Sequence, residues 1–67
     1  MEFVFLSERQ LQLLRFISEG MTSQEIADKL CISKRTAEAN RASLLIMTGT
    51  RNTAALITFG FRYGMLS

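Results

Sequence analysis

Proline and histidine are absent from this 67-residue chain, and cysteine occurs once, at Cys31. Without proline, nothing forbids long helices. A single cysteine excludes an internal disulfide, and the lack of histidine removes the commonest ligand of a zinc centre. No metal site and no cofactor are expected, and a reducing cytoplasm is the compartment that fits. The longest apolar runs fall far short of the roughly 20 residues that a bilayer-spanning helix needs. Met1 to Leu6 carries an acid where a signal peptide carries basic charge. Neither a membrane span nor a secretory leader is expected.

Catalytic groupings are missing too. There is no Ser–His or Cys–His pair, no glycine loop to cradle a phosphate and no cluster of metal ligands. Glu8 and Glu25 are accounted for as acids in the first turns of helices, where the helix dipole favours them. At this length a domain buries only about 60% of its unfolded surface, and a large enclosed substrate cavity does not fit. An enzyme is not expected.

What is present is a set of helix signals. Ser7-Glu-Arg-Gln10 is a capping box, with Leu6 and Leu11 placed as a hydrophobic staple. Leu11, Leu13, Leu14, Phe16 and Ile17 then carry a first helix, which Gly20 ends by allowing a left-handed residue. Thr22-Ser-Gln-Glu25 repeats the box, with Met21 and Ile26 as staple. It opens a helix of about two turns, too short to persist alone. Ser33 opens a third helix that runs to about Thr48, before Gly49. Asn52 opens a fourth through Leu56, Ile57, Phe59 and Phe61, ending near Gly64. Gly60, inside it, reads as a site of close helix packing. The fold class is all-α: a four-helix bundle over residues 6–66, with residues 1–5 as a leader or arm.

The unit from Thr22 to Ser43 sets a two-turn helix against a longer one through the tight turn Cys31-Ile-Ser33. This is the layout of a helix-turn-helix, in which the first helix crosses the DNA backbone and the second enters the major groove. Ala27 is small where the two should cross. On the third helix, Ala37, Leu44 and Thr48 share the core side. Lys34, Arg35, Glu38, Ala42 and Leu45 point away from it, with Arg41 at the border. Cations there suit phosphates or guanine edges, a carboxylate suits a cytosine amino group, and Ala39 and Ala42 allow close approach. Thr22 and Ser33 put two helix N-termini where phosphates bind.

Charge follows the same segment. Between Lys29 and Arg51 stand Lys29, Lys34, Arg35, Arg41 and Arg51 against Glu38 alone, a window of +4 in a chain of +2 overall. Such a cluster fits an anionic partner, although a solvated helix face also produces one. Cys31 reads as an inert turn residue. Ile46 and Met47 read as exposed residues or as a partner surface, and Ile57 and Phe61 as core or as a contact between copies.

Taken as a string, the chain resembles the LuxR-type (NarL/GerE-like) DNA-binding domain. The matching residues are Leu6-Ser-Glu-Arg-Gln10, Leu14, Glu19-Gly-Met-Thr22, Glu25-Ile-Ala27, Leu30, Ile32-Ser33, Thr36, Arg41, Gly49, Arg51-Asn52 and Arg62-Tyr-Gly-Met-Leu66. The resemblance implies the output domain of a response regulator or similar signal-responsive protein. It implies binding to double-stranded DNA as a homodimer joined through the fourth helix at Ile57 and Phe61, and contact with RNA polymerase. By position it places Glu38, Ala39 and Ala42 at bases, with Arg41 beside them, and Thr22, Ser33, Lys34, Arg35, Thr36 and Asn40 near phosphates. The chain departs from the family pattern at Ala37 (usually valine), Glu38 (often lysine), Asn40 (often histidine), Ile46 and Met47 (usually charged) and Thr48 (usually leucine). Two further readings stand beside this one. The promoter-reading region of a sigma factor shares the capped helix pair, but Arg51-Asn52 and the Arg62 to Leu66 segment argue against it. A helical protein-interaction domain that has lost DNA binding is the other, motivated by Glu38, Ile46 and Met47.

Overall fold

A computed structural model describes residues 5–67. Apart from Phe5, the expected arm lies outside the described residues. Four helices follow in order: α1 (Glu8–Ser18), α2 (Ser23–Leu30), α3 (Lys34–Thr48) and α4 (Thr53–Arg62). Among the described residues there is no strand.

Each helix begins where its cap residue dictates. At Ser7 and at Thr22 the capping box is complete: the cap oxygen accepts from the amide three residues on, and the Gln10 or Glu25 side chain accepts from the cap amide. Ser33 Oγ accepts from the Thr36 amide at 3.0 Å, and Asn52 Oδ1 from the Ala55 amide at 2.8 Å. These bonds satisfy donors that the first turn of a helix leaves without partners. Gly20 and Gly49 end α1 and α3 in the left-handed region. So does Cys31 after α2, at φ 56°, where the sequence offers no glycine.

The core is small. Leu13, Leu14 and Ile17 of α1 meet Ile26 and Ala27 of α2, Ala37 and Leu44 of α3 and Leu56 of α4. The most extensive packing joins α2 to α3, while α1 and α3 both pack on α4. Ala27 and Ala37 are both fully enclosed. With one methyl each, they let the helix-turn-helix pair close together, and larger side chains there would force overpacking.

Two expectations need comment. Gly60 does sit at a close approach: a Cβ built on it would meet Leu66 Cδ1 at 2.7 Å and Leu14 Cδ2 at 3.2 Å. Leu45, expected on the outward face of α3, is instead half-buried and packed against the core. The physical reason is that α3 packs against α1, α2 and α4 together, so more than one side of it is covered. The buried arc of α3 is therefore wider at its end than a single-helix pattern implies.

Candidate nucleic-acid interface

Near its start, α3 turns an unbroken polar and small-residue face to solvent. Lys34, Arg35, Thr36, Glu38, Ala39 and Ala42 are all exposed, and Asn40 and Arg41 are half-buried at its edges. Arg35, Ala39, Ala42 and Ile46 fall at helical spacing along one line, opposite buried Ala37 and Leu44. The residues expected to face bases are thus on one surface, and Arg41 lies at its margin.

Local electrostatics set this helix apart from the two before it. α1 and α2 carry Glu8 and Glu25 in their first turns, against the positive end of the helix dipole. α3 has no acid in its first turn and begins with Lys34 and Arg35. Cations at that end work against helix stability by a few tenths of a kcal/mol each. Departures of this kind from local preference are what functional surfaces show. Here two cationic residues stand in the first turn at the positive end of the helix dipole, an arrangement suited to phosphates.

Ser33 Oγ also donates to Thr36 Oγ1 at 2.9 Å, which orders the first turn of α3. Thr22, at the start of α2, is exposed, and its partner Glu25 is held below the ordinary carboxylate range by the hydrogen bonds from Thr22. Cys31 is exposed in the turn between the two helices.

Asn40 lies on a different side from the exposed stripe. It lines a groove of about 180 Å³ with Arg9, Gln10, Leu13, Leu30 and Ser43, where α1, α2 and α3 meet. This adds Arg9 to the cations near α3. Sequence reasoning missed it, because the α1–α3 contact joins residues far apart in the chain and leaves no local signal.

At the other end of the molecule, Phe61 is 54% exposed and Tyr63 48%. Ile57 is half-buried and packs on the core. Of the pair expected at a contact between copies, Phe61 is largely exposed and Ile57 only partly so. Beside them, the Phe59 and Tyr63 rings pack in a tilted pair, with centroids 4.6 Å apart and planes inclined by 42°. Among the described residues no group of His, Cys, Asp and Glu is placed to hold a metal ion, and no helix is long and apolar enough to cross a membrane.

Four capped helices with an α2–turn–α3 pair and an exposed, cation-bordered α3 define a helix-turn-helix domain. Comparison with known proteins makes this specific. Residues 4–59 match the family described as bacterial regulatory proteins, luxR family. The chain belongs to that family, and its four helices are a LuxR-type helix-turn-helix DNA-binding domain. Relatives include the oxygen regulatory protein NreC of Staphylococcus aureus, strains JH9 and JH1, each 31% identical over 96% of this chain. The chain spans only 30% of their length. A similar solved structure is the Vibrio cholera VqmA–ligand–DNA complex, with a TM-score of 0.84 and 26% identity over 97% of this chain and 28% of that one. The family is one of transcription regulators rather than enzymes.

Proposed function

We propose that the chain is the output domain of a signal-responsive transcription regulator in the cytoplasm, reading double-stranded DNA with the exposed face of α3. The observation that carries this is the start of α3, where Lys34 and Arg35 stand at the positive end of the helix with no acid to balance them. In this reading Lys34, Arg35, Thr36 and Asn40, with the caps Thr22 and Ser33, fix the domain on phosphates. Glu38, Ala39 and Ala42 face base edges, with Arg41 beside them. Phosphate contacts position and base contacts specify.

Charge arithmetic limits a single copy. About three to five neutralised phosphates give a salt slope of about −2.7 to −4.5 and weak binding by a monomer. Two copies on adjacent half-sites supply the rest, joined through the fourth helix around Phe61 and the exposed edge of Ile57. RNA polymerase is a further partner in this reading. The relatives' names support a regulatory role, and the DNA in the VqmA complex supports the ligand class.

A titration of labelled duplex at low and moderate salt tests the reading. Binding that weakens steeply with salt, and that Arg41→Ala combined with Lys34→Ala reduces, is expected. No binding at low salt, or binding indifferent to that pair of substitutions, contradicts it.

A further inference from the structure

Glu38 is the only acid between Lys29 and Arg51. It stands on the exposed face of α3, with Lys34, Arg35 and Arg41 all three or four residues away on the same helix. That spacing is the one at which helical ion pairs form. Yet among the described residues no ion pair or hydrogen bond joins its carboxylate to any of them. The neighbours on its outer side, Ala39 and Ala42, are exposed and carry only methyl groups.

We propose that Glu38 is a specificity-determining residue that selects cytosine at one position of the DNA half-site. The inference rests on the reading of α3 as the DNA-facing helix, and it adds the base that this helix demands. A carboxylate has acceptors only. In the major groove the donors are the amino groups of cytosine and adenine. Adenine places its N7 acceptor beside the amino group, where it repels the second carboxylate oxygen. Cytosine places a carbon-bound hydrogen there and leaves its amino group to the acid. Ala39 and Ala42 let the helix approach closely enough for a short side chain to reach the base. Because a carboxylate also repels phosphates, Glu38 weakens contact with every duplex that lacks its cytosine. The residue gains discrimination at the expense of general attraction.

The assignment makes a three-way forecast. Glu38→Gln presents a donor and an acceptor and matches adenine, and Glu38→Lys presents donors only and matches guanine. The experiment is selection from a randomised duplex pool, at low salt, with the unaltered chain and both variants, each first shown to be folded by its helical circular dichroism and melting transition. One position is expected to change from cytosine to adenine to guanine across the three proteins, with preferences of about ten-fold and other positions unmoved. Glu38→Lys is also expected to bind unselected DNA more tightly than the parent. The same preference in all three proteins overturns the inference and leaves DNA reading by α3 intact. Failure of all three folded proteins to bind any duplex overturns both.

Discussion

Leu66 lies directly over Gly60: a Cβ on the glycine would come within 2.7 Å of Leu66 Cδ1 and 2.9 Å of Leu66 Cγ. The amides of Met65 and Leu66 both donate to the Gly60 carbonyl, at 2.8 and 3.0 Å, so the segment after α4 is tied down at that same residue. On the other side the fully buried Leu14 would meet the Cβ at 3.2 Å. Gly60→Ala gains about 1 kcal/mol of helix propensity. It loses about 1–3 kcal/mol to overpacking. A net loss of about 1 kcal/mol is therefore expected in urea denaturation. Adding Leu66→Ala should make the glycine substitution less harmful than it is alone, because the clash is with that side chain.

Cys31 offers the opposite experiment. It holds φ 56° at the end of α2, is exposed, and pays the crowding that a left-handed residue with a Cβ suffers. That crowding costs about 1–2 kcal/mol, partly offset by the greater unfolded-state freedom of glycine. Cys31→Gly is expected to raise stability by about 0.5–1 kcal/mol, measured as a higher denaturation midpoint, and to leave DNA affinity unchanged. A lower midpoint would show that the thiol makes a contact worth more than the strain.

A pH dependence follows from Glu25. The Thr22 backbone amide and hydroxyl hydrogen-bond its carboxylate and lower its pKa in the folded state. A carboxyl with a depressed folded pKa adds stability above its unfolded value and loses it as pH falls through the folded one. The helix start is therefore expected to weaken on acidification below the ordinary carboxylate range. Glu25→Gln, which keeps an acceptor without the charge, should flatten that part of the stability–pH curve. Thr22→Ala removes the other half of the box and is expected to cost about 1 kcal/mol near neutrality.

Ala27 tests the packing beneath α3. It is fully buried between elements of the helix-turn-helix. Ala27→Leu is expected to destabilise the fold by about 1–3 kcal/mol and to reset the α2–α3 angle. Any protein that remains folded should bind DNA less well even though no exposed side chain of α3 has changed. Unaltered affinity would mean that the angle between the two helices is not what presents α3.

Much of this architecture was legible because its signals are local. Ser7, Thr22, Ser33 and Asn52 announce helix starts by chemistry that acts over three residues, and all four serve as caps. Gly20 and Gly49 mark ends for the same reason. What was not legible arises from packing between distant segments. Leu45 follows the outward pattern of α3 but packs against the core once the other three helices surround α3. Arg9 and Asn40 meet along one groove only because α1 crosses α3. The left-handed turn at Cys31 carries no glycine to reveal it. Of the interface, the exposed stripe on α3 followed from helical spacing. Which of its cations extends the surface toward α1 did not.

In the proposed function the first turns of α3, with the caps at Thr22 and Ser33, meet DNA. Backbone amide shifts recorded as duplex is added to the labelled protein test it most directly. The largest changes are expected from Ser33 to Ser43 and around Thr22, with changes on α4 only where copies pair. Changes confined to α4, with the amides from Lys34 to Arg41 unmoved, would contradict it and favour a domain that binds protein through its exposed aromatic end.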